Sequence, residues 1–242
     1  MSKLVSCIAA VVLACTGTVL AGTPLNLLLL GDSITRQGRY VAALTNLLSQ
    51  NGYAPTVLAN EGHDAYLIQT TPYPWPDYRS GVANQVKEFL KYPGANSENT
   101  CILVMVGTGD VDADYKLKGT DDPNVQTRMG DLITKVTNTA PRAHLIVAQV
   151  VPNITSKEKD ADVKRLNADI AAAVATAKKS GAKIHLVNMY DALSPEKYQP
   201  YTDTPSQLMA DKLHPSEAAG PAMAKVWFDG IMAAKIPHTL SK

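Results

Sequence analysis

Hydrophobic residues fall along this chain in short unbroken runs, separated by stretches in which they recur every three or four positions. The runs lie at about 25–30, 56–59, 101–106, 144–151 and 184–189 and are rich in Leu, Ile and Val. A strand buried on both faces has no polar side to alternate with, so these runs predict a parallel sheet covered on both sides. Between them, Val125, Met129, Leu132, Ile133 and Val136 keep the spacing of one helix face, as do Val163, Leu166, Ile170, Val174 and Ala177. Further helical patterns cover 40–48, 82–90 and about 217–234. Asp122-Pro123 offers the helix from Val125 an N-cap and a first-turn proline. Pro221 is expected in the first turn of the last helix, because deeper inside it would remove a hydrogen bond and clash. Strands alternating with helices predict an α/β fold in one domain, with helices on both faces of the sheet.

The first run ends abruptly in Gly31-Asp32-Ser33-Ile34-Thr35, and an amphipathic segment follows at once. That places Ser33 at the carboxyl end of a parallel strand and the amino end of a helix, the crevice where open α/β sheets put their chemistry. Ser33 would be exposed there, close to unpaired backbone N–H groups and placed for nucleophilic attack. The plainer reading is that Asp32 or Ser33 only caps the helix. Asp211-Lys212-Leu213-His214 shifts the balance. A nucleophilic serine needs a base to take its proton and a third group to fix the base's tautomer, and His214 and Asp211 supply both from one loop. His63 is a weaker candidate base, with Asp64 the carboxylate nearest to it in sequence.

With Gly31-Asp32-Ser33, Asn60-Glu61-Gly62-His63, Gly107-Thr108-Gly109-Asp110 and Asp211-x-x-His214 in this order, the chain resembles the SGNH (GDSL-type) hydrolases. Within them the Asn-Glu-Gly-His loop and the run Ala143–Gln149 look most like carbohydrate esterase family three, the acetylxylan-esterase type. The resemblance implies a three-layer α/β/α sandwich with a flavodoxin-like five-stranded parallel sheet in the order 2-1-3-4-5. It also implies catalytic Ser33, Asp211 and His214, and an oxyanion hole built from the N–H groups of Ser33 and Gly62. The third block departs from the family's Gly-x-Asn-Asp: Gly109 replaces the Asn and has no side-chain donor. Losing one such donor typically costs about 10²–10³ in turnover. The classical α/β-hydrolase elbow, Gly-x-Ser-x-Gly, is disfavoured because Thr35 holds its last position.

Asp32, His63 and Trp75 are the candidate substrate contacts. Trp75 belongs to a loop in which Tyr73, Trp75 and Tyr78 interleave with Pro72, Pro74 and Pro76. Rigid aromatic faces suit stacking on sugar rings; the plainer reading packs them on the domain. Asp110, Asp112 and Asp114 resemble the opening of a calcium loop, but the sixth position is Tyr115 and the twelfth Asp121, so no metal is expected. No cofactor is implied.

Composition bounds the rest. The 242 residues, 45% hydrophobic and 19% charged, suffice for one full core. Lys3, the apolar stretch from Leu4 to Ala14 and Val19-Leu20-Ala21 read as a signal peptide over 1–21, leaving a hydrolase domain over 22–242 and implying secretion. The rival reading lipidates Cys15 and would attach the protein to a membrane. Removing 1–21 takes away Lys3, Cys7 and Cys15, equalises acidic and basic residues, and leaves Cys101 as the only thiol. Cys101 begins a buried run and reads as a core residue. A balanced charge with no basic run argues against a nucleic-acid partner. Asn153-Ile154-Thr155 is a glycosylation sequon that matters in a eukaryotic source. The expected activity is hydrolysis of acetyl esters on a polysaccharide such as xylan. A lipid or thioester hydrolase and a carbohydrate-binding pseudoenzyme, the latter because of Gly109, stand as alternatives.

Overall fold

The computed structural model describes residues 22–63, 67–68, 82, 85–112, 125–194 and 207–237. The segment 1–21, Asp122-Pro123, Trp75 and its aromatic neighbours lie outside the described residues.

The strands are β1 (Thr23–Gly31), β2 (Tyr53–Gly62), β3 (Thr100–Met105), β4 (His144–Ala148) and β5 (Ile184–Val187), all parallel, in the order β2-β1-β3-β4-β5. This is the expected order. Leu27–Leu30 and all of β3 and β4 are buried, as unbroken apolar runs require between two helical layers. Each fully buried Leu contributes about 1.5–3 kcal/mol. The helices are α1 (Ser33–Gln37), α2 (Val41–Gln50), α3 (Thr108–Asp112), α4 (Val125–Thr139), α5 (Lys157–Lys179), α6 (Met189–Ala192) and α7 (Gly220–Ala233). Helices α2 and α7 pack together, as do α4 and α5. Tyr40, at the head of α2, meets Trp227 of α7 with ring centroids 6.0 Å apart. Pro221 stands in the first turn of α7. Ser156 caps α5 by accepting the Lys159 N–H, with Glu158 and Asp160 in the first turn and Lys178 and Lys179 in the last, the charge order that the helix dipole favours.

Several boundaries differ from the hydrophobic pattern. The run at 144–151 leaves the sheet after Ala148 because the Asn167 side chain substitutes for a neighbouring strand: it accepts the Val150 N–H at 2.8 Å and donates to the Val150 carbonyl at 3.0 Å. The run at 184–189 stops at Val187, where Asn188 caps α6 by accepting the Asp191 N–H. Strand β2 extends beyond 56–59 at both ends; it lies at the sheet edge, where Pro55 and polar residues are tolerated. Among the described residues, the pattern at 82–90 yields a 3₁₀ helix, Val86–Lys91, with Val86 and Phe89 buried.

Parallel strands all end on one side. Gly31 of β1 pairs with Gly62 of β2 and Met105 of β3, so the turns that follow these three strands emerge side by side. The site forms there.

Candidate active site

Ser33 is the first residue of α1, and Asp32 caps that helix. The helix is short because Gly38 takes the left-handed conformation (φ 59°) and its N–H closes on the Ile34 carbonyl. Half-buried Ser33 presents its Oγ 3.0 Å from Nε2 of His214, 181 positions away in sequence. Nδ1 of His214 lies 2.9 Å from Oδ2 of Asp211. In the tautomer with the proton on Nδ1, His214 donates to Asp211 and offers Nε2 as acceptor to the serine hydroxyl.

The loop carrying His214 is held from several sides. Met209 and Pro215 form an antiparallel bridge, the Ala210 N–H donates to the His214 carbonyl at 2.8 Å, and the Ser216 N–H donates to the Leu208 carbonyl at 2.9 Å. Arg39 donates to the Pro215 carbonyl and pairs with Glu217 at 3.3 Å. The Ile154 N–H donates to the Lys212 carbonyl at 3.0 Å, joining the segment after β4 to the same loop. Within the loop, Oδ1 of Asp211 accepts the N–H groups of Leu213 and His214, each at 2.6 Å. Partial burial works to raise the Asp211 pKa, but these two N–H donors and the His214 ring outweigh it and hold the carboxyl below its ordinary value. Asp211 is thereby kept ionised to face a developing imidazolium.

Expectations for the neighbouring residues change. Asp32 is not a substrate contact: it is 1% exposed and turned inward, accepting the Ile34 N–H at 3.1 Å and the Thr108 N–H at 3.2 Å. The Gly62 N–H, expected to face the oxyanion, donates instead to Oδ1 of Asn60 at 3.1 Å. The Asn60 amide also donates to the Thr35 carbonyl at 2.9 Å, so this side chain stitches the end of β2 to α1. Gly62 is needed for that approach: a Cβ there would stand 2.2 Å from the Arg36 nitrogen. Gly109 lies in the first turn of α3, is absent from the glycines with positive φ, and brings no side chain to the site. His63 has Glu61 as its described carboxylate neighbour, at 3.6 Å, and Tyr92 donates to the other Glu61 oxygen at 2.7 Å. Trp75 lies outside the described residues.

Asp110 does not sit in a solvated loop. It is buried, pairs with buried Arg128 of α4, and accepts the Ile68 N–H at 3.0 Å, while Arg128 donates to the Ile68 carbonyl at 3.0 Å. Burial raises the Asp110 carboxyl above its ordinary value despite the guanidinium. The one sign of this pair in the sequence is that Arg128 falls on the apolar face of α4. Cys101 is fully buried and burial pushes its thiol up, which fits a core residue. Asn153, the sequon residue, is 1% exposed, with its oxygen accepting the Thr155 N–H, so the folded chain does not offer it for glycosylation. Among the described residues no group of His, Cys, Asp and Glu is assembled to hold a metal.

A model described as the GDSL-like lipase/acylhydrolase family matches residues 29–219. Among solved structures, a family 3 carbohydrate esterase from Clostridium thermocellum is similar at a TM-score of 0.64 and 20% identity, over 89% of this chain and 100% of that one. A variant of an acetyl xylan esterase from Geobacillus stearothermophilus gives 0.60 and 18%, over 87% and 95%. A member of the lipolytic G-D-S-L family from Veillonella parvula gives 0.59 and 19%, over 86% and 98%. These likenesses are likenesses of fold. No protein of curated function matches the sequence.

Proposed function

The chain belongs to the GDSL-like lipase/acylhydrolase family, and on that premise we propose that it is a secreted serine esterase that removes acetyl groups from a polysaccharide such as xylan. The hydrogen-bonded series Ser33–His214–Asp211 carries this reading, at 3.0 and 2.9 Å. Ser33 Oγ attacks the ester carbonyl while Nε2 of His214 takes its proton, and Asp211 holds the imidazolium that results. The Ser33 N–H has no acceptor within its helix, being in the first turn, and can donate to the carbonyl oxygen as that oxygen becomes negative. As the bond from the carbonyl carbon to the sugar oxygen breaks, His214 gives the proton to that oxygen, which leaves as a hydroxyl. A water activated by the same imidazole then releases acetate from the acyl-serine. Preference for acetyl on a glycan is supported by the fold neighbours named as carbohydrate and acetyl xylan esterases. The composition of residues 1–21 supports secretion.

The test compares wild type with Ser33→Ala on p-nitrophenyl acetate, p-nitrophenyl octanoate and acetylated xylan. Wild type is expected to prefer acetyl over octanoyl and to release acetate from xylan. Ser33→Ala is expected to lose at least about a thousandfold in turnover with an unchanged melting temperature. A folded Ser33→Ala protein retaining a tenth of wild-type turnover would overturn the assignment of Ser33. A preference for octanoyl would overturn the acetyl reading alone.

A further inference from the structure

Asp32 adjoins the nucleophile in sequence yet faces away from substrate, and its two oxygens have different tasks. Oδ1 accepts the Ile34 N–H at 3.1 Å, closing a turn around Ser33. Oδ2 accepts the Thr108 N–H at 3.2 Å, crossing from α1 to the start of α3 across a sequence separation of 76. Thr108 directly precedes Gly109, at the block where the family carries an oxyanion donor. The carboxylate therefore bridges the two turns that have to keep a fixed distance during acyl transfer. A second tie runs parallel to it, from the Thr35 hydroxyl to the Met105 carbonyl at 3.3 Å.

Capping alone does not account for an aspartate here. Ser or Asn would cap α1 about as well and would bring no charge to desolvate. Burial pushes the Asp32 pKa up to about 6, against the pull of hydrogen bonds from Ile34, Thr108 and Gly107. The other titratable group facing it is the buried Tyr40 phenol at the head of α2, whose own pKa is raised first by burial. A carboxylate offers what Ser and Asn do not: an acceptor on each of two atoms with no donor. The Thr108 N–H would meet the NH₂ of an Asn as donor against donor.

Resting on the esterase reading above, we propose that Asp32 is a positioning residue for the nucleophile: it locks the Ser33 turn to the Gly107–Thr108 turn and so sets where Ser33 Oγ and its N–H stand relative to His214 and the reacting carbonyl. It touches neither substrate nor the reacting atoms. Misplacement of a reacting group by about 1 Å typically costs on the order of 10²-fold in rate. A fault of this kind lowers kcat and leaves KM nearly unchanged, whereas loss of a substrate contact raises KM.

Two variants test this on p-nitrophenyl acetate. Asp32→Asn keeps the shape and the Ile34 contact but spoils the one to Thr108. Thr108→Pro leaves the aspartate itself intact and breaks the bridge from the other side, removing the Thr108 N–H and hydroxyl and putting a ring carbon where the N–H pointed. Thr108 is the first residue of α3, since the Val111 N–H bonds the Gly107 carbonyl at 3.2 Å, and proline is tolerated at that position. Each single variant is expected to lose ten- to a hundredfold in kcat with KM within twofold. The double variant is expected to lose no more than the worse single one, because both break the same bridge. If Asp32→Asn does not fold, the kcat and KM of Thr108→Pro decide. A folded variant with kcat within threefold of wild type, a raised KM at unchanged kcat, or multiplicative losses in the double variant would overturn the proposal. Ser33→Ala measured alongside separates the two levels: an active Ser33→Ala sinks the assignment of Ser33 as nucleophile, on which the proposal rests, while an inactive one beside an active Asp32→Asn sinks only the positioning role.

Discussion

At the scale of single residues, the site depends on whether each polar atom has a partner before substrate arrives. Oγ of Ser33 and both nitrogens of His214 are engaged in one line. The Gly62 N–H is held by Asn60, while the Ser33 N–H, in the first turn of α1, has no acceptor within its helix. Gly109 is where a further donor can be added. Its backbone is helical rather than left-handed, so the backbone conformation there suits asparagine as well as glycine. Gly109→Asn is expected to raise kcat on an aryl acetate by up to about 10²-fold with little change in KM, because the new bond strengthens as charge develops. Steady-state kinetics beside a melting curve check this. An unchanged kcat in a folded variant would show that another donor already completes the hole. Gly109 was legible from its place in a spaced motif, but the engagement of Gly62 was not, because the same Asn60 amide reads equally well as a loop residue until its partners are seen.

At the scale of elements, α1, α3 and the end of β2 are too short to be stable alone and are fixed by side chains crossing between them. Asn60 joins β2 to α1, Asp32 joins α1 to α3, and Asp110 with Arg128 joins α3 and α4 to the backbone of Ile68. Removing one member of a buried pair leaves the other charge uncompensated, at a cost of about 3–5 kcal/mol. Arg128→Met is therefore expected to lower the melting temperature by on the order of 10 °C. Adding Asp110→Asn should recover part of the loss, since an amide oxygen still accepts the Ile68 N–H without a stranded charge. Thermal unfolding of the single and double variants checks this; a double variant less stable than Arg128→Met would contradict it. Helix periodicity placed Val125, Met129, Leu132, Ile133 and Val136 inward, and all are buried. It could not announce that Arg128, at the same spacing, is buried against a carboxylate, because an arginine on a helix is normally solvated.

At the scale of the whole molecule, the buried carboxyl of Asp32 links stability to pH. Its pKa rises from 3.8 to about 6 on folding, so between these values the unfolded chain holds fewer protons on this group than the native one, and its contribution falls as pH rises. The full difference is at most about 3 kcal/mol, present below pH 4 and lost above pH 6. Asp211 works in the opposite sense: its lowered pKa adds stability above about pH 4 that is lost on acidification, although its exposure keeps that contribution small. Asp32→Asn should therefore gain stability relative to wild type between pH 4.5 and 7.5, as measured by denaturant unfolding at both values. A difference independent of pH would show that Asp32 does not titrate in this range. Across the molecule, the sequence by itself determined what local pattern records: that Leu27–Leu30, 101–106 and 144–148 are buried, which face of α4 points inward, the alternation that demands a parallel sheet, and the spaced polar blocks that follow its strands. A periodicity measures how often a residue meets water, and that much is written within a window of a dozen positions. Tertiary structure alone decided which atoms those residues meet. Asn167 ends the β4 ladder, Asn60 takes the Gly62 N–H, Arg128 finds Asp110, and Asp32 turns from the site to Thr108. Each depends on pairing between segments brought together only when the sheet assembles, and no local pattern of polar and apolar positions specifies a partner.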